Sequence, residues 1–331
     1  MKPSDLAEVL PSLIASRRPV FVWGKSGAGK SSVIQQICQK LDLKVNDMRT
    51  SQLDSIDLRG FPVPDMKTKQ MAWLPSVDLP TMSDPPGVLF LDEMNGAMPT
   101  VASACYQLIL DFRIGSYVLP PHWTIIAAGN NIDDRGITHQ MPAPLNNRFV
   151  HIDYEIDDED WQQQASADGL HVHIRAYLRL KPQSLHVFDS TQNPRSYPTP
   201  RSWYFANEIY CNPAFSTVQK IELMKGTIGA GATVEFFGFV AELEFMPDIN
   251  AILAQPATAP LPGNQSVMHA VVTTLADKTT GGNFENIMRY VKRLQREIQV
   301  VFVRRVQGID RRIISSLAYR DWALANQDVL V

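Results

Sequence analysis

Cysteine is scarce in this chain, three in 331 residues, which leaves little room for a covalent framework. Cys38, Cys105 and Cys211 are odd in number, widely spaced and outside any C-x-x-C pair, so neither a disulfide scaffold nor a zinc site is expected. Buried thiols in a reducing compartment are the reading. Long apolar runs are also missing: none approaches the roughly 20 residues of a membrane helix. The amino terminus Met1-Lys2-Pro3-Ser4-Asp5 lacks the basic, apolar, small-residue order of a secretion signal, and a cytoplasmic location is expected. No large charge excess is present, and a formal net charge of −3 argues against a surface that grips nucleic acid all over, while leaving room for a local basic face. Neither repeats nor low-complexity tracts are visible. With 45% hydrophobic and 20% charged residues there is ample material for a core, and the length favours two domains over one.

What is present begins with Gly24-Lys25-Ser26-Gly27-Ala28-Gly29-Lys30-Ser31, a complete G-x-x-x-x-G-K-S phosphate-binding loop. Before it, Pro19-Val20-Phe21-Val22-Trp23 reads as a buried strand. After it, Ser32 to Cys38 keeps Val33, Ile34 and Ile37 on one helical face. Glycines in such a loop let successive backbone N–H groups turn inward around the β- and γ-phosphates. Lys30 supplies a positive charge there, and the Ser31 hydroxyl is a candidate Mg²⁺ ligand. The helix from Lys30 to Lys40 points its positive end at the same phosphates, and Ser32 in its first turn is counted with Gly24–Ser31 as nucleotide-binding.

Short apolar runs alternate with helical patterns through the first half, the signature of a parallel sheet covered on both faces. Strands are expected at about 19–23, 43–48, 87–91, 123–128 and 149–153, after an opening helix from Ser4 to Ala15. Beyond Asp153 the pattern turns helical, with stretches at 157–168, 170–180, 200–211, 215–225, 229–243, 265–279, 283–304 and 309–325. The fold class expected is α/β, a five-stranded parallel sheet followed by an α-helical lid, with domains at 1–154 and 155–331. Between the second and third strands lies a long Pro-rich stretch, Asp54 to Pro86. In it Phe61-Pro62-Val63-Pro64 and Met71-Ala72-Trp73-Leu74 read as two hairpin arms. A second hairpin signal is Phe112-Arg113-Ile114, Gly115-Ser116, Tyr117-Val118-Leu119.

Val88-Leu89-Phe90-Leu91-Asp92-Glu93 is an apolar strand ending in two acids, and buried strands seldom end so unless a cation pairs with the charge. Asp92 would hold Mg²⁺ opposite Ser31, and Glu93 would polarise an attacking water. Thr124-Ile125-Ile126-Ala127-Ala128-Gly129-Asn130-Asn131 is another apolar strand, ending in amides. Side chains just past the carboxyl ends of neighbouring parallel strands converge on one crevice, so Asn130 or Asn131 could reach the γ-phosphate.

In this order of parts the chain resembles the AAA+ ATPases, and within them the MoxR-like, helix-2-insert branch. The segments that carry the likeness are Gly24–Ser31, Val88–Asn95 with its Asp-Glu-Met-Asn, Ala127-Ala128-Gly129-Asn130, Pro144-Leu145-Asn146-Asn147-Arg148-Phe149 and Thr199-Pro200-Arg201-Ser202. The resemblance implies ATP and Mg²⁺ as ligands, Asn130 as the sensor-1 residue, Arg148 as an arginine finger reaching the neighbouring subunit's nucleotide, and Arg201 as the lid's sensor-2 arginine, with Arg195 as its competitor. Asp54–Pro86 is similar to the helix-2 insert and Phe112–Leu119 to the pre-sensor-1 hairpin. It also implies a homo-oligomeric ring, six subunits in the family, and a protein substrate or a partner bearing a von Willebrand A-type domain. A nucleic-acid-directed motor or restriction-type translocase is the alternative.

His171 and His173 alternate on an expected helix and read as solvated surface residues. Arg289, Lys292, Arg293, Arg296, Arg304, Arg305, Arg311 and Arg312 form a local basic excess that could face nucleic acid, though a solvated face or an acidic neighbour subunit is the favoured reading. The aromatic run Val234-Glu235-Phe236-Phe237-Gly238-Phe239 reads as helical core.

Overall fold

Five strands, Val20–Gly24 (β1), Lys44–Arg49 (β2), Gly87–Asp92 (β5), Trp123–Asn130 (β8) and Val150–Asp153 (β9), hydrogen-bond in the order β2-β5-β8-β1-β9, all parallel. The computed structural model describes residues 1–67, 69–130, 141, 143–188, 194–243 and 246–327. Asn131, the alternative to Asn130, lies outside them. Two compact units divide the chain, Met1–Asp157 and Asp158–Val331.

In the first unit, strand alternation sorts the apolar side chains onto two faces. Val20, Val22, Val88, Phe90, Ile126 and Ala128 pack with Leu6 and Leu10 of Pro3–Ala15 (α1) and with Ile34, Ile37 and Cys38 of Lys30–Lys40 (α2). Phe21, Leu89, Leu91, Ile125 and Ala127 pack on the other side with Val101, Ala104, Cys105, Leu108 and Ile109 of Pro99–Asp111 (α4), and with Leu58 of Ser55–Arg59 (α3). The central strands read as almost unbroken apolar runs because both faces are covered. Edge strand β2 is polar and largely exposed. Phe61–Asp65 (β3) and Gln70–Leu74 (β4) pair antiparallel, as do Arg113–Ile114 (β6) and Tyr117–Val118 (β7) across Gly115-Ser116. The short helix Ala143–Asn146 (α5) precedes β9.

The second unit is helical: Asp158–Ala167 (α6), Val172–Leu180 (α7), Pro200–Cys211 (α8), Thr217–Ile228 (α9), Ala230–Glu242 (α10), Ile249–Ala254 (α11), Gln265–Asp277 (α12), Phe284–Val291 (α13), Arg296–Ile309 (α14) and Leu317–Ala325 (α15). Its core is aromatic where Tyr177, Trp203 and Phe236 meet with ring centroids 5.6–6.1 Å apart. The single helix expected over 283–304 is two. Gln295 is extended, and the Gln299 side chain turns back to donate to Leu294 O at 2.8 Å and Lys292 O at 3.2 Å, satisfying carbonyls at the end of α13. Likewise 309–325 breaks at Ser316, whose hydroxyl caps α15. Among the described residues no helix is long and apolar enough to cross a membrane.

Cys38 and Cys105 are buried, but Cys211 is exposed at the end of α8, which corrects the expectation of three buried thiols. His171 and His173 are half-buried rather than solvated surface residues. His171 caps α7, its Nδ1 accepting the His173 N–H at 3.1 Å; their rings stand 4.4 Å apart, and His173 Nδ1 lies 2.7 Å from the Tyr210 hydroxyl. The cap takes His171 off the helix proper, so the two rings meet.

Candidate nucleotide site

The loop after β1 turns through Gly27 and Gly29 in left-handed backbone, φ 71° and 95°, a region costly for any residue with a Cβ. Gly24 ends β1, Lys25 to Gly29 form the turn, and Lys30, Ser31 and Ser32 open α2. Lys30 is 7% exposed, and its ammonium donates to Gly24 O at 2.7 Å, Lys25 O at 2.9 Å and Asn130 Oδ1 at 3.1 Å. A buried ammonium needs such oxygens.

β1, β5 and β8 stand side by side, so their carboxyl ends bring Lys30, Asp92 and Asn130 into one crevice. Ser31 Oγ donates to Asp92 Oδ2 at 2.8 Å, and Asp92 Oδ1 accepts the Glu93 N–H at 2.8 Å. A hydroxyl beside a carboxylate is a hard-oxygen pair suited to Mg²⁺, which prefers one or two protein oxygens and completes its shell with phosphate and water. The residues present therefore fit the ion. Glu93 lies just past the strand in left-handed backbone, φ 54°, exposed, with the Ser51 hydroxyl donating to its Oε2. Thr50, also following β2, donates to Asp92 O at 2.9 Å.

Asn95 was part of the acidic motif but was given no role of its own from sequence. It is 4% exposed, and its side-chain amide bonds both the N–H and the carbonyl of Asn130. Gly129 makes room for it: a Cβ there would come within 2.6 Å of Asn95 Oδ1 and 2.8 Å of the Phe21 ring. Ser51 was missed as well, because a serine after a strand is ordinary turn chemistry and its contact with Glu93 spans 42 residues.

Arg148 lies in the turn after α5, its side chain exposed, between buried Leu145 and Phe149. Trp23 Nε1 donates to His151 Nδ1 at 2.8 Å, so His151 carries its proton on Nε2 and donates it to Asn146 O at 2.7 Å. This ties the turn to β1. Arg201 occupies the first turn of α8, where Thr199 and Ser202 form a capping box, and Arg195 is exposed within the same helical unit. Much of the basic excess is engaged at home. Arg305 pairs with Asp277, Arg304 with Glu159 and Arg312 with Asp310, while Arg293 donates to Pro256 O.

Phosphate loop, hydroxyl–carboxylate pair and adjacent glutamate are together the apparatus of a P-loop nucleoside triphosphatase. No protein-family model matches the chain. Among solved structures it is similar to the Thermotoga maritima RuvB Holliday junction branch migration motor, at 16% identity over 88% of this chain and 85% of that one, TM-score 0.38. It is also similar to NtrX from Brucella abortus in complex with ADP, at 13% identity over 99% of this chain and 68% of that one, TM-score 0.42. The parallel order β2-β5-β8-β1-β9, with the phosphate loop between β1 and α2, is that of a P-loop α/β domain.

Proposed function

We propose that this chain is an Mg²⁺-dependent ATPase of the AAA+ class, in its MoxR-like branch, acting as a ring that remodels or matures a protein partner. The observation that carries the reading is the convergence of Lys30, Ser31, Asp92 and Asn130 from three strand ends in two hydrogen-bonded pairs, Lys30 with Asn130 and Ser31 with Asp92. Loop amides from Lys25 to Ser31 and the Lys30 ammonium would hold the β- and γ-phosphates, and Ser31 with Asp92 would hold the metal. Magnesium, when bound, draws charge from the phosphate oxygens. Glu93 is the group able to accept a proton from an attacking water once it leaves the Ser51 hydroxyl, and Asn130 orients that water beside the γ-phosphate.

Arg148 supports the ring. Its turn is anchored by Leu145, Phe149 and His151 while the guanidinium is exposed, which suits a charge delivered to a neighbouring subunit's triphosphate. Such a head-to-tail interface closes into a ring, and the family resemblance suggests six subunits. Arg201 is assigned the role of lid arginine. A partner with a von Willebrand A-type domain rests on the resemblance alone.

The test is ATP turnover by the purified chain and affinity capture with Glu93→Gln. The variant is expected to bind ATP, hydrolyse it at least about a hundredfold more slowly, and retain an oligomer together with its partner. Undiminished turnover in Glu93→Gln would remove Glu93 from the chemistry, and capture of single subunits alone would remove the ring.

A further inference from the structure

Helices α6, α7 and α14 line a half-open cavity of about 280 Å³ within the helical unit, and three of its lining side chains are arginines. Arg179 comes from α7, Arg304 and Arg305 from α14, and Glu159 of α6 is the one carboxylate among the described lining residues. Arg179 Nη1 meets Asp158 at 3.2 Å, and Arg304 Nη1 meets Glu159 at a loose 3.8 Å. Arg305 shares Asp277 with Arg175, the nearest guanidinium nitrogens lying 2.6 Å and 3.1 Å from the same oxygen, Oδ1. Arg175 and Arg305 are only 6% and 7% exposed, whereas Arg304 and Glu159 stand at the open side of the cavity, both exposed.

A buried guanidinium is costly unless its charge and its N–H groups are both met. Burial holds the Arg305 guanidinium below its ordinary range despite Asp277, and Arg175 and Arg179 press in the same direction. Hydrogen-bonding capacity is left over as well. The Nε–H groups of Arg179 and Arg305 are buried without a partner among the described residues. So is Oε1 of Gln162, another lining residue, whose Nε2 is committed to Arg175 O at 3.0 Å.

We propose that this cavity binds a small phosphate-type anion between Arg179, Arg304 and Arg305. Planar guanidiniums match phosphate oxygens in bidentate fashion, and a dianion offers several acceptor oxygens to the N–H groups left over. Monohydrogen phosphate also carries an O–H for the Gln162 acceptor, which a carboxylate lacks. The volume lies just under the roughly 300 Å³ at which pockets for drug-sized ligands begin, so the occupant is inorganic phosphate or the head of a small phosphomonoester.

The test uses the full chain carrying Lys30→Ala, which removes the phosphate loop's lysine and makes the outcome independent of ATP hydrolysis. Inorganic phosphate is titrated by calorimetry with the melting temperature followed in parallel, glycerol 3-phosphate forms a second arm, and chloride at equal ionic strength is the control. Saturable binding is expected, with a rise in melting temperature. Affinity should fall about tenfold in Arg304→Gln, where one guanidinium is gone. It should vanish in Ser166→Asp, because the Ser166 hydroxyl accepts from Arg175 at 3.0 Å and Arg305 at 3.4 Å, and a tethered carboxylate there would neutralise the site from within. Tighter binding of one probe over the other identifies free phosphate or a phosphomonoester as the occupant, and either supports the site. Absence of saturation through the millimolar range, or equal affinity in both variants with circular dichroism unchanged, overturns it.

Discussion

Asn95 completes a sheet rung that the backbone leaves open: its Nδ2 donates to Asn130 O at 2.7 Å and its Oδ1 accepts the Asn130 N–H at 3.1 Å. Paired residues of β5 and β8 end at Leu91 and Ala127, and beyond them the side-chain amide stands in for a peptide group. That grip sets Asn130 Oδ1 3.1 Å from the Lys30 ammonium.

Asn95→Ala is accordingly expected to lower ATP turnover by roughly 10²-fold, the cost of a misplacement of about an ångström, while nucleotide affinity changes little. Asn95→Asp keeps the acceptor but loses the donor, and should fall between. Steady-state kinetics paired with a binding titration separates the two effects. Wild-type turnover in Asn95→Ala would show that Asn130 needs no such support.

Arg148→Ala is expected to bind nucleotide normally and lose turnover by roughly 10³-fold or more. Mixed with Lys30→Ala protein, it should recover part of the activity at interfaces where an intact loop meets an intact Arg148. Verified mixed assemblies that stay inactive would place Arg148 outside a role between subunits.

Burial, reinforced by neighbouring His171, pushes the His173 imidazole down to about 4. The unfolded chain takes up this proton near the ordinary 6.5, so between pH 6.5 and 4 it binds more protons than the folded chain and stability drops as pH falls. His173→Asn should flatten the decline of melting temperature across that window. An unchanged slope would mean that other groups govern it.

Asp277 carries two buried arginines. Burial works against its charge, but hydrogen bonds and proximity of Arg175 and Arg305 hold its carboxyl below the usual range. Asp277→Ala leaves both cations uncompensated and should cost about 3–5 kcal/mol, read by denaturant unfolding. A cost under about 1 kcal/mol, the value of an exposed pair, would mean that solvent already reaches the cluster.

Much of the sheet was readable because parallel strands covered on both faces carry unbroken apolar runs. β1, β2, β5, β8 and β9 fall within a residue or two of the expected positions, and Gly24–Ser31 is a contiguous pattern whose geometry is local. Helix ends were less readable. The break before α14 depends on Gln299 reaching back to Leu294 O, and nothing in the apolar spacing of 283–304 marks it.

Residue order alone therefore determined the strands, the phosphate loop, the acid pair closing β5 and the helical character of the second half, because periodicity and contiguous motifs are written within a few neighbouring residues. Tertiary structure decided that Asn95 would hold Asn130, that Ser51 would hold Glu93 and that Arg305 would pair with Asp277. Each of those is a short-range bond between groups that only the folded chain brings within reach, and directional hydrogen bonds and desolvated charges leave no periodic trace in the sequence.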